Sequence, residues 1–164
     1  GGVGVGLALA VLGWGAWSTR TVTNPTTQLA NAADKMALDW IRENLSADAR
    51  FLINVTPWQG GTFRGVDGGY WLLPYAGRMS ILPPVLYAWG DPETAAQINR
   101  WATQAAELKD CDENFWALAK EAHLNYVYVR EGVGSLQPAT LNLCRGVVPI
   151  YRRQGVFIYA LESP

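Results

Sequence analysis

Between Trp58 and Arg78 the candidates for chemistry are the carboxylate Asp67, the guanidinium of Arg78, and four of the aromatic rings, Trp58, Tyr70, Trp71 and Tyr75. Aromatic faces stack on the C–H faces of sugars, while a carboxylate and a guanidinium pair with their hydroxyls; Arg78 would also suit a phosphate. The same residues have a structural reading, in which the rings fill a core and Asp67 caps a turn or pairs with Arg78. Most of them fall within Gly65–Gly90, a stretch of five glycines, three prolines, three tyrosines, two tryptophans and only two charges. It is too apolar for a solvated loop and too broken by Gly and Pro for one long helix. Part of it must be packed, and part must face a partner.

Other chemistry has little to work with. The single histidine, His123, is expected in the last turn of a helix, where its positive form suits the C-terminal dipole. No Cys, His or carboxylate cluster around it has metal-ligand spacing, and no G-x-S-x-G nucleophile motif occurs. Gly2-Val-Gly4-Val-Gly6 lacks the G-x-G-x-x-G spacing and the preceding strand of a dinucleotide loop. Cys111 and Cys144 are the only cysteines. They either pair, which the chain-entropy relation values at roughly 3–4 kcal/mol, or stand as two separate thiols. Thirteen Lys and Arg against fourteen Asp and Glu leave no basic footprint for nucleic acid.

The elements that must position these residues follow from periodicity and punctuation. Residues 1–19 carry no charge and end near Trp14 and Trp17. This run is expected to be the end of a transmembrane helix with an aromatic belt; the alternative is a buried core segment. The flank beyond it is poor in Lys and Arg, which places the following domain outside the cytoplasm. Residues 20–27 read as a linker around Pro25. Residues 28–164 read as one extracytoplasmic α/β domain with a short mixed sheet, flanking helices and a C-terminal β-hairpin.

Within that domain, Gln28–Leu45 is expected to be a helix with Ala33, Ala37 and Ile41 inward and Asp34 on a polar face. Phe51–Val55 reads as a buried strand, Thr56–Arg64 as a loop, and Gly77–Leu82 as the site of a short strand. Asp91-Pro92-Glu93 starts a helix to about Lys109, and a second helix begins near Asp112. Tyr126–Arg130 reads as a strand and Pro138 as opening a short helix to about Arg145. Val147–Arg153 and Val156–Leu161 form a hairpin around Arg153-Gln154-Gly155. Four or five strands and four helices result.

Three segments also carry a resemblance: Trp40–Asn54 (WIRENLSADARFLIN), Asp67–Arg78 (DGGYWLLPYAGR) with Leu82-Pro-Pro84, and Val148–Tyr159 (VPIYRRQGVFIY). Over about Ala33 to Leu161 the chain resembles the C-terminal extracytoplasmic domain of bacterial multi-pass membrane glycosyltransferases. These are the mannosyltransferase and oligosaccharyltransferase type, which take sugar from a polyprenyl-phosphate donor. The resemblance implies a lipid-linked sugar donor for the parent, with no cofactor in the present residues. It implies as partners the membrane, the remaining transmembrane part, and a glycan or lipid-linked sugar. Catalytic carboxylates of that type lie in early loops between membrane helices, so the resemblance assigns no catalytic residue here. The Trp-Trp-Asp acceptor motif of oligosaccharyltransferases is absent from this sequence, and Asp67-Gly-Gly-Tyr-Trp71 is at most a loose echo of it. The expectation is a domain that shapes or covers the acceptor side of a sugar-transfer site, or else a tethered glycan- or protein-binding module without catalysis.

Overall fold

The computed structural model describes residues 2–19 and 28–162. The expected linker at 20–27 lies outside the described residues. Helix α1 (Gly2–Ser18) has apolar residues on every side, and its described side chains are almost all exposed, Trp14 at 77%. A buried core segment is therefore not what this run forms. At 1.5 Å per residue its 17 residues rise about 25 Å, against about 30 Å for a bilayer's hydrocarbon core. Among the described residues no helix is long and apolar enough to cross a membrane.

Residues 28–162 fold as an α/β unit around a five-stranded mixed sheet. Its strands are β1 (Arg50–Ile53), β4 (Met79–Ser80), β5 (Tyr126–Arg130), β6 (Val147–Arg153) and β7 (Val156–Leu161), in the order β4-β1-β5-β7-β6. The β4, β1 and β5 strands run parallel, whereas β5, β7 and β6 are antiparallel. Successive residues of a strand point to opposite faces, and Phe51, Leu52 and Ile53 are all buried, as are Val127, Tyr128 and Val129. The centre of the sheet is thus covered on both sides, which explains its continuous apolar runs in place of alternation. Pro149 sits on edge strand β6, where a missing N–H donor is tolerated, beside an irregularity in register. The hairpin turn uses positive φ at Gln154 and Gly155, as the Arg153-Gln154-Gly155 signal requires.

The helices are α2 (Ala32–Asn44), α3 (Pro92–Glu107), α4 (Glu113–Glu121) and the single turn α5 (Pro138–Leu141). Asp91 caps α3 through its Oδ2, which accepts from the Thr94 N–H at 2.8 Å, and Pro92 fills the first helical position. The stretch expected to be a loop, Thr56–Arg64, instead contains a second small sheet. There β2 (Val55–Pro57) pairs with β3 (Phe63–Gly65) across a 3₁₀ turn at Gln59–Gly61. The two positive-φ residues Gly60 and Gly61 fold this turn tightly enough for pairing. His123 is not in the last turn of α4. It stands just beyond the helix, exposed, with φ of 54°.

Cys111 and Cys144 form a disulfide between the α3–α4 connection and the residues after α5, with Cα atoms 5.9 Å apart and 33 residues of separation. It ties the α3–α4 pair to the hairpin side of the sheet. Removing both sulfurs (Cys111→Ala with Cys144→Ala) is expected to lower unfolding free energy by about 3–4 kcal/mol. Urea unfolding of the two proteins checks this, and equal midpoints would contradict it.

Candidate functional site

The residues singled out between Trp58 and Arg78 divide among four settings. Asp67 is fully buried. Its Oδ1 accepts from the Gly69 N–H at 2.9 Å, and its Oδ2 accepts from the Arg130 N–H at 3.2 Å. It therefore caps a 3₁₀ turn (Gly68–Trp71) and joins that turn to the end of β5. Of the two structural roles open to it, capping is realised and pairing with Arg78 is not.

Arg78 follows a single π-helical turn (Leu72–Ala76) and points at the C-terminal end of α2. Its guanidinium donates to the carbonyls of Ala76 (3.0 Å), Arg42 (3.1 Å) and Leu45 (2.8 Å). These include carbonyls that the end of a helix leaves unpaired, so Arg78 is committed to the fold and is not offered to a phosphate or sugar. Tyr75 donates its hydroxyl to Asp39 Oδ1 (2.9 Å), with Lys35 and Arg42 over its ring. Tyr70 is half-buried, and burial raises its phenol above the usual value.

Trp71 and Trp58 remain on the surface, 46% and 44% exposed. Trp58 sits at the tip of the β2–β3 hairpin with the Arg64 guanidinium 3.9 Å over its ring. The expected cluster of rings around one acid and one base does not assemble.

What assembles in its place is a buried polar network. Asp34, expected on the polar face of α2, is completely buried. Asn31 caps α2 by accepting from the Ala33 and Asp34 N–H groups, and Asp34 Oδ2 accepts back from the Asn31 N–H at 2.8 Å. This is a reciprocal capping box, legible in the sequence as Asn31-Ala-Ala-Asp34. The Asp34 carboxylate also accepts the Tyr128 hydroxyl at 2.7 Å and the Arg130 Nη1 at 2.6 Å. Tyr128 and Arg130 lie two residues apart on β5 and so share the face that α2 covers. Gly68 lies against this network. A Cβ there would come within 2.4 Å of the Asp34 side chain, so only glycine lets the turn approach the helix.

A second buried polar residue, Asn54, clamps the loop after β5. Its Nδ2 donates to the Val133 and Leu136 carbonyls, and its Oδ1 accepts from the Leu136 N–H at 2.9 Å. Neither Asp34, Arg130 nor Asn54 was marked by residue type alone, because each looks like an ordinary surface polar residue.

A concave site of about 450 Å³ lies elsewhere, between edge strand β4 and α3. Buried Ile81, Ile98 and Leu124 line it with half-buried Trp101 and Arg50, and exposed Asp91 stands on its wall. Its volume is that of a small-molecule pocket, and its lining mixes apolar side chains with polar ones such as Arg50, Asp91, Glu93 and Gln97. Nothing in Arg50 or Trp101 as isolated letters separated them from structural residues. Among the described residues no group of three or more His, Cys, Asp or Glu could hold a metal ion.

With the geometry in hand, comparison with known proteins adds no relative: no family model, no curated protein and no solved structure matches the chain.

Burial, with the nearby Asp34 carboxylate adding to it, pushes Asp67 up to about 7 from 3.8. Between those values the folded state keeps a proton that the unfolded chain has lost, so stability from Asp67 falls as pH rises, by up to roughly 1.4 kcal/mol per pH unit. Replacing Asp67→Asn should remove this slope. Denaturant unfolding at several pH values should show the wild type losing stability relative to D67N between about pH 4 and 7. A difference that is flat, or that grows with pH, would contradict the assignment.

Proposed function

We propose that residues 28–162 form an accessory extracytoplasmic domain of a bacterial membrane glycosyltransferase-like protein, held at the membrane through α1. In this reading the domain shapes or covers the acceptor side of a sugar-transfer site whose reactive carboxylates lie outside these residues. The parent's donor is a lipid-linked sugar. The observation that carries the proposal is the setting of Asp67-Gly-Gly-Tyr-Trp71, which lies within one of the three segments that carry the resemblance. Its acid is sealed inside the fold as a cap, while Trp71 is left on the surface. The motif acts as a scaffold that presents a surface, and the acid does not reach a substrate. The Cys111–Cys144 disulfide supports the same side of the membrane, since such bonds persist in oxidising compartments.

One observation favours a second reading, a tethered glycan- or protein-binding module: Trp58 and Trp71 are each a little under half exposed. The two are separated by titrating the full chain with cell-wall glycan fragments while following tryptophan fluorescence. The accessory reading expects no saturable change. A saturable change that is lost in Trp71→Ala would replace it with the module. For the location, bacteria making the chain should yield it in the membrane fraction, with no thiol that reacts under unreduced, unfolding conditions. A soluble chain with two reactive thiols would overturn the proposal.

A further inference from the structure

The Trp58 hairpin tip and the 3₁₀ helix at Val85–Trp89 together form an exposed apolar surface. Trp89 is 86% exposed, Leu86 64%, Trp58 44% and Val85 41%. They border a shallow cleft of about 550 Å³. The elements beneath are fixed. Tyr87 donates its hydroxyl to Asn99 Oδ1 of α3 at 2.6 Å and accepts the Phe63 N–H of β3 at 3.3 Å. Turning Tyr87 inward leaves Leu86 and Trp89 facing out as a consequence of local geometry.

Charge sharpens the picture. From Thr56 to Val66, and again from Met79 to Gly90, the only charged residue is Arg64, and the exposed acids Asp91 and Glu93 follow at the start of α3. Among the described residues Arg64 forms no ion pair, its Nε has no hydrogen-bond partner, and its guanidinium is stacked on Trp58. An apolar patch with two indoles, an aliphatic side chain between them and one unneutralised cation has a specific complement. Indoles settle at the level of lipid headgroups, Leu and Val enter the acyl boundary, and a guanidinium pairs with phosphate. A glycan would need several polar side chains around the rings for its hydroxyls, and here Gln59 and Thr62 are the only ones lining the cleft.

We propose that this face, centred on Leu86 and flanked by Trp58, Trp89 and Arg64, rests on the surface of an anionic phospholipid bilayer. It is a second membrane contact besides α1. The inference rests on the membrane tether proposed above, and it adds an orientation. The domain lies down on the bilayer through the β2–β3 tip and the Val85–Trp89 helix.

Because both native cysteines are bound to each other, a single introduced thiol can be labelled alone. Leu86→Cys and, as a control on the exposed side of α2, Glu43→Cys would each carry a nitroxide. The full chain would be reconstituted in vesicles of equal parts phosphatidylcholine and phosphatidylglycerol. The ratio of oxygen to water-soluble nickel-chelate accessibility should be several-fold higher at L86C than at E43C. It should fall toward the control value in Arg64→Gln or in vesicles of phosphatidylcholine alone. Vesicle-bound chain with both labels equally open to the nickel chelate would overturn this contact while leaving the tether standing. Chain that does not float with vesicles would overturn both. Protection of the L86C label by soluble glycan in the absence of lipid would assign the face to sugar and reject the bilayer.

Discussion

A carboxylate buried without compensation costs several kcal/mol, so the position of Asp34 constrains everything around it. Its charge is met by the Arg130 guanidinium, the Tyr128 hydroxyl and the Asn31 N–H, which come from β5 and from the start of α2. Helix, central strand and the Gly68–Trp71 turn are thereby fixed relative to one another. The turn fits only because Gly68 has no side chain, and it is closed by Asp67, which itself reaches back to the Arg130 N–H. Two acids, one guanidinium and one phenol thus form a single junction, and losing one member strands the others in a low-dielectric interior.

This junction is what the functional proposal builds on. The polar groups of Gly65–Gly90 are spent on the fold, Asp67 on its turn and Arg78 on the end of α2, which leaves the rings of the region to make the surface. A segment built in this way positions aromatic side chains rigidly without offering an acid or base to a substrate. It suits a domain whose work is to cover, orient or dock. The disulfide adds a covalent tie between the α3–α4 connection and the residues after α5.

The fold was largely legible in the sequence. The α/β class, the Tyr126–Arg130 strand, the Asp91 cap and the closing hairpin followed from apolar runs, a capping signal and a Gly-containing turn. The β2–β3 hairpin was missed because its strands are three residues each and are punctuated by Pro57 and glycines, which read as a loop. The candidate site was less legible, because residue type does not report burial. Asp34 at the third position of α2 looks like a surface acid, and only the register of Tyr128 and Arg130 on the facing strand makes it internal. Arg78 looked free for a ligand because two of the three carbonyls that hold it belong to residues more than thirty positions earlier. The Cys111–Cys144 pairing stayed open until the two Cα atoms were placed within bridging distance.

The central claim is that Asp34 and Arg130 act as one unit on which the turn and α2 depend. A double-mutant cycle with Asp34→Ala and Arg130→Met, read by denaturant unfolding at neutral pH, tests it most directly. Each single change should cost roughly 3 kcal/mol or more, and the double change little more than either, which gives a coupling of about 2–3 kcal/mol. Costs that simply add, with each single change near zero, would contradict it.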